Sequence, residues 1–226
     1  PIVFLAARDK PLPTFSGDGA SNEDILFKPV EANELLSRVK SVLKEKALRD
    51  ELRRKEAQLK ELSLTDALTE LKSSRYLDEF MQIGIRQAKR YSVPFSLVIM
   101  EIDHHQELSK SLGPDAFDKV LSQVAQIVAK QMRESDIVVR TNTSEFTVVL
   151  TCTTKEGAIE VAERLRTSVA ASVLTVGSES KAVTVSVGIC QFAKHMDDEG
   201  KLLMSHGRAA VEHAHSSGGN MTLMAE

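Results

Sequence analysis

The sequence predicts an α/β protein with a mixed-direction central sheet flanked by helices. Apolar runs of strand length alternate with stretches of helical spacing through most of the chain. Two β-rich runs, 137–140 and 146–150, are separated by the five residues Thr141 to Glu145, the spacing of a hairpin. No Pro or Gly interrupts residues 30–83, which leaves room for one long helix. Three parts follow: a small βαβα-like unit over 1–43, a linker helix over 44–63 and the main α/β domain over 64–226.

Ile2 to Ala7 is an apolar run that reads as a buried strand. A Pro-, Gly- and Ser-rich loop spans Lys10 to Asn22, and Asp24 to Phe27 is a short second strand closed by Lys28-Pro29. From Glu31, Leu35, Leu36, Val39, Val42 and Leu43 recur at helical spacing. Leu48, Leu52, Leu59 and Leu62 continue it as an a/d seam interrupted by Lys55. That pattern fits either a parallel dimer seam, with Leu52 and Leu59 facing a partner helix, or a solvated linker. Beyond Ser63, the pattern predicts a helix over 74–90, a buried strand over 95–103 and a helix over 114–133. After the hairpin come a helix over 155–171, a strand over 183–189, a helix over 197–215 and an edge strand over 221–223.

Composition narrows the function. With 29 Lys and Arg against 32 Asp and Glu, the net charge of −3 argues against a nucleic-acid-binding surface over the whole chain. No apolar stretch approaches membrane-spanning length, so no membrane partner is expected. Cys152 and Cys190 form no CxxC and read as buried small hydrophobes in a reducing, cytoplasmic setting. His206, His213 and His215 have no Cys or carboxylate at ligand spacing, which predicts a solvated helix and no metal site; His104 and His105 read as strand-end packing residues. Asp103 and Glu145 read as strand-end and hairpin carboxylates facing solvent.

Asp66-Ala67-Leu68-Thr69-Glu70-Leu71, the strand end Glu101-Ile102-Asp103-His104-His105 and the hairpin Arg140 to Phe146 resemble the DxLTGL, strand-end and RxGGDEF motifs of GGDEF domains. The resemblance covers about Leu64 to the C-terminus and implies a nucleotidyl-cyclase-like fold. In that family, diguanylate cyclases condense two GTP into cyclic di-GMP across a dimer.

The departures are as informative as the matches. The two signature glycines are Asn142 and Thr143, which take positive φ less readily and put side chains where phosphates would lie. The third position, a Mg²⁺ ligand in active members, is Ser144, and the partner carboxylate is Glu101. Ser109 replaces a guanine-reading Asn, while Asp118 matches the guanine-reading Asp. Gln106, His215 and Gly219 stand where the family carries basic residues. Phosphoryl transfer depends on metal ions and cations to neutralise charge, so the resemblance implies a catalytically inactive domain with no required cofactor. A residual cyclase resting on Glu101, Asp103, Asp118 and Glu145 is the weaker alternative.

Arg133-Glu134-Ser135-Asp136 occupies the register of the family's RxxD product site, and Arg164 falls where a second arginine completes it. Guanidinium forks suit guanine O6 and N7 and phosphate oxygens, so the resemblance implies a cyclic di-GMP receptor. A helix-end salt bridge between Arg133 and Asp136 is the plainer reading. A second RxxD, Arg75 to Asp78, reads as an i,i+3 ion pair. The first part resembles the C-terminal half of a response-regulator receiver domain, with Lys28 in place of its phosphoryl-contacting Lys and Ala6 at its switch position. The whole reads as a receiver-linked receptor that forms a homodimer, through the linker helix or through ligand-bridged domains, and signals to an unknown protein effector. A nucleotide-independent scaffold is the alternative.

Overall fold

The structure, a computed structural model, describes residues 3–7, 25–176 and 179–225. The expected loop over 10–22 lies outside these residues. The chain divides into two units, one ending at Glu61 and one running from Leu62.

In the first unit, β1 (Phe4–Ala7) and β2 (Ile25–Lys28) pair in parallel, with Phe4 opposite Ile25 and Ala7 opposite Lys28. Lys28 is exposed at the strand end, and its peptide bond to Pro29 is cis. The uninterrupted stretch forms one helix, α1 (Ala32–Leu62), laced by the i,i+4 ion pairs Glu45–Arg49 and Glu51–Lys55. Leu48 and Leu52 are exposed on it; the Leu59 side chain lies outside the described residues.

The second unit is built on a six-stranded sheet. Its strands are β3 (Lys72–Ser73), β4 (Phe95–Ile102), β5 (Ile137–Arg140), β6 (Glu145–Thr151), β9 (Val185–Gln191) and β10 (Thr222–Met224). The order is β10-β9-β4-β6-β5-β3, with β4 antiparallel to both neighbours and the outer pairs β10/β9 and β3/β5 parallel. The mixed direction follows the expectation. A two-stranded hairpin, β7 (Val173–Val176) and β8 (Glu179–Ala182), stands apart from the sheet.

Side-chain alternation along β4 sorts the packing. Val98, Met100 and Ile102 join the core beneath α4 (Pro114–Gln131) and α5 (Lys155–Ala170). Phe95 and Leu97 join a second cluster under α2 (Ser74–Tyr91) and α6 (Lys201–Ser216). The second parity ends in polar residues: Glu101, then Asp103, with Glu145 and Ser186 on the neighbouring strands. One face of the sheet therefore changes from apolar to charged within a few residues, at the end where α6 finishes.

Three elements escape the hydrophobic pattern. α3 (His105–Leu112) is eight residues long and has no buried residue. The strand expected from Val183 begins at Val185, and β7–β8 precedes it. The last long helix starts at Lys201 instead of Asp197, whose carboxylate accepts from the Glu199, Lys201 and Leu202 amides and so caps the helix start.

Candidate functional site

The register of β4 against β6 sets Glu101 directly opposite Glu145, and Asp103 lies just past the strand end on the same face. Like charges directly opposite in an antiparallel pair repel. The repulsion is strong here because Asp103 and Glu145 are only 7% and 8% exposed. Neither faces solvent, contrary to the sequence reading; strand-end carboxylates usually do, but α6 covers these.

α6 supplies two basic side chains, Arg208 and His215, seven residues apart and so on one helix face. Arg208 Nε donates to Glu145 Oε2 at 2.9 Å and Nη2 to Oε1 at 2.8 Å, a bidentate fork. The hydrogen bond that it donates to Glu145 is the main cause that raises the Arg208 guanidinium above its ordinary value, with the charges of Glu145 and Glu101 adding to it. Thr141 Oγ1 also donates to Glu145 Oε1, at 2.5 Å. The half-buried His215 ring lies 3.1 Å (Nε2) from Glu101 Oε2 and 2.9 Å (Nδ1) from Asp103 Oδ1. That ring is not on a solvated helix face, as its spacing had suggested. Two glycines let α6 come this close. A Cβ on Gly188 would lie 2.2 Å from the Gly207 carbonyl oxygen, and one on Gly207 would lie 2.7 Å from Ile99 Cδ1.

Ser144 is buried and donates to Glu101 Oε1 at 2.9 Å. Asp103 further accepts from Thr184 Oγ1 at 2.6 Å, Ser186 Oγ at 2.7 Å and the Asn220 amide at 2.9 Å. Mg²⁺ needs anionic oxygens with open lone pairs in near-octahedral geometry. Here the third signature position donates a hydroxyl proton, and the carboxylates are taken up by the chain's own donors. These residues do not fit Mg²⁺.

The hairpin turn solves its geometry without glycine. Neither Asn142 nor Thr143 is among the positive-φ residues; Asn142 Oδ1 accepts from the Thr143 amide at 2.8 Å, and the Asn142 amide donates to the Glu145 carbonyl. Arg140 braces the loop from below. Its Nη2 donates to the Thr143 carbonyl at 2.9 Å and its Nη1 to Asp66 Oδ1 at 3.1 Å. Burial pushes the Asp66 carboxyl up, but hydrogen bonds from Thr69 and Arg140 outweigh it and leave the group below its ordinary value. Glu70, at the glycine of the DxLTGL pattern, still takes the left-handed φ of 60°.

A cleft of about 370 Å³ opens beside this network, lined by Glu101, His104, His105, Glu107, Lys110 and His215, among others. Its lining mixes three carboxylates with three histidines and Lys110. His105 Nδ1 is 3.6 Å from Glu101, and Gly219 backs onto the Asp103 carboxylate. Ser109 is half-buried on α3 and Asp118 exposed on α4; neither side chain makes a hydrogen bond among the described residues.

On the other side of the sheet, residues 133–136 form a tight turn after α4. Asp136 Oδ2 accepts from the Arg133 amide at 3.1 Å, and the Asp136 amide donates to the Arg133 carbonyl at 3.0 Å. Asp136 thus pins the backbone of the turn and forms no side-chain salt bridge with Arg133. The exposed Arg133 guanidinium has no partner among the described residues. Arg164 reaches the same place from α5, donating to the Gln131 carbonyl at 3.1 Å. The second RxxD behaves differently: Arg75 pairs with Glu79 and not with Asp78. Cys190 is buried, its thiol pushed up to about 11 by burial, whereas Cys152 is exposed, contrary to expectation.

A mixed sheet with a central antiparallel strand, closed by a hairpin that places carboxylates against a strand end, defines a cyclase-like α/β domain. The family profile "Diguanylate cyclase, GGDEF domain" matches residues 63–221, and the chain belongs to that family. It is similar to the response regulator PleD of Caulobacter vibrioides, 32% identical over 199 residues, which cover 87% of this chain and 44% of that protein. It is also similar to the diguanylate cyclase DosC of Escherichia coli, 32% identical over 59% of this chain and 29% of that one. The chain therefore spans less than half the length of these relatives. Among solved structures, the diguanylate cyclase SiaD of Pseudomonas aeruginosa, in complex with its activator SiaC, superposes with a TM-score of 0.69 at 27% identity over 85% of this chain and 74% of that one. The GGDEF domain of DgcB from Caulobacter crescentus, in complex with c-di-GMP, superposes with a TM-score of 0.68 at 22% identity over 72% of this chain and 93% of that one, which shows the fold. No helix among the described residues is long and apolar enough to cross a membrane.

Proposed function

We propose that this chain is a catalytically inactive GGDEF protein that binds cyclic di-GMP at Arg133, Asp136 and Arg164 and signals to a protein partner. The contrast between the two charged regions carries the reading. Around Glu101 and Glu145, the groups a cyclase would offer to metal and triphosphate are bonded to one another. Around Arg133, an uncommitted guanidinium stands beside a second arginine held at the end of α4. Two arginines suit a ligand with two phosphates and several guanine edges. The partial receiver unit over 1–43, with Lys28 at its strand end, and the linker helix over 44–63 make a response regulator that dimerises through α1 or through bridging ligand. The setting is cytoplasmic.

Calorimetry with cyclic di-GMP and with GTP on one preparation tests the reading. Binding of cyclic di-GMP at or below tens of micromolar, with no product from GTP in Mg²⁺ or Mn²⁺, is the expected outcome. Turnover that Glu145→Ala abolishes would make the chain a cyclase; no cyclic di-GMP binding at tens of micromolar would make it a scaffold. Restoring the signature by Asn142→Gly, Thr143→Gly and Ser144→Asp leaves the protein inactive, because Arg208 still holds Glu145.

A further inference from the structure

We infer that Arg208, with the His215 ring packed beside it, takes the place of a divalent metal between β4 and the hairpin, so that the chain itself closes this site to Mg²⁺ and Mn²⁺. The inference deepens the reading of an inactive domain and rests on it.

The need comes from the sheet register. Glu101 and Glu145 face each other across β4 and β6, Asp103 follows on the same face, and two of these three carboxylates are almost fully buried. Three like charges at low dielectric require positive charge among them. A metalloprotein supplies it with an ion. Here one helix supplies it.

The supply is stereochemically complete. The Arg208 fork engages both oxygens of Glu145, and its charge is also felt by Glu101. His215 lies within hydrogen-bond distance of Glu101 and Asp103 at once, so its ring fills the space between the two carboxylates. Ser144 takes an oxygen of Glu101, Thr141 an oxygen of Glu145, and Thr184, Ser186 and Asn220 the rest of Asp103. A dication entering here must displace a bidentate guanidinium and an imidazole that arrive on a helix pressed backbone-to-backbone onto the sheet at Gly188 and Gly207. The hairpin is therefore held in place by the chain's own side chains.

Removing these two side chains should uncover the site. Mn²⁺ is the probe, followed by the loss of its free-ion EPR signal and by calorimetry on the full chain. Wild type is expected to show no binding up to about 1 mM. The Arg208→Ala/His215→Ala variant should bind at least about tenfold more tightly, through carboxylate oxygens now open. Adding Glu101→Gln and Glu145→Gln to that variant should abolish the gain. Should the double variant not fold alone, millimolar Mn²⁺ must restore its circular dichroism while leaving the wild-type melting temperature unchanged. The inference is overturned if wild type binds Mn²⁺ as tightly as the double variant. It is equally overturned if the folded double variant gains nothing, or if Mn²⁺ fails to rescue an unfolded one. GTP turnover by wild type would instead defeat the inactive reading; Mn²⁺ binding by wild type without turnover defeats only this inference.

Discussion

Two charged regions of the GGDEF domain use the same residue types in opposite ways. On the α6 side, Glu145 receives a guanidinium fork and a hydroxyl, and Asp103 receives two hydroxyls and a backbone amide and lies beside an imidazole. On the α4/α5 side, Asp136 pins a backbone turn while Arg133 points at solvent with no partner among the described residues. The lesson is about commitment. A charged group whose hydrogen bonds are filled from within the chain contributes stability, and a charged group left open on a fixed backbone is available to a ligand. Residue type alone does not separate the two; the partners do.

The largest expected effect breaks the committed side. Arg208→Ala leaves the buried Glu145 without its fork and should cost about 2–4 kcal/mol of stability, below the top of the range for buried pairs because Arg208 is half exposed. Urea unfolding measures it. Glu145→Gln in the same background should recover most of the loss, since the orphaned charge is then gone. Cyclic di-GMP affinity should not change in either variant.

The converse substitution sharpens the comparison. Arg133→Ala should weaken cyclic di-GMP by about 2–3 kcal/mol, roughly thirty- to hundredfold, because a phosphate or guanine edge loses its fork. Its urea midpoint should match wild type within error, as surface positions without partners usually do. A large stability loss at Arg133, or unchanged binding, would erase the distinction between the two regions.

Acid offers a third probe. The folded-state carboxyl of Asp66 lies below its ordinary value of 3.8. A carboxyl depressed on folding contributes stability that is full above that ordinary value and is lost as pH falls through the lower folded value. Melting temperature should therefore drop below about pH 4. Asp66→Asn should lower it at neutral pH and flatten the acid limb. Because Arg140 carries the Asp66 bond into the hairpin, this variant should loosen the 141–145 loop while leaving Arg133 binding intact.

The legible parts of this protein are those written by neighbours in the chain. β4, β6 and the helices α2, α4 and α5 follow from apolar runs and periodicity. The departures at Asn142, Thr143, Ser144 and Ser109 are visible because motif spacing fixes their register. Arg208 was invisible for the opposite reason: it lies 63 residues from the Glu145 it engages, and only the packing of α6 onto β9 joins them. The one signal was indirect. Gly188 and Gly207 are small residues in an otherwise regular strand and helix, a sign of close backbone approach that would have placed α6 over the strand ends. α3 has no buried residue, and the alternation that buries Leu174 and Val176 on β7 is only four residues long, too short to stand out in the sequence.

The smallest expected effect is the most discriminating for how motifs are read. Arg75-Tyr76-Leu77-Asp78 spells the same RxxD as Arg133 to Asp136, but on the surface of an intact helix, α2. There Arg75 reaches forward to Glu79 at 3.4 Å, with the two side chains 44% and 58% exposed. Such a pair is worth about 0.3–0.5 kcal/mol and is screened by salt. Asp78 makes no hydrogen bond or ion pair among the described residues. Arg75→Ala should therefore leave cyclic di-GMP affinity unchanged and shift the urea midpoint barely beyond error. If Arg75→Ala weakened binding as much as Arg133→Ala does, binding would be following bulk positive charge, and the turn at Asp136 with Arg164 beside it would not be what selects the ligand.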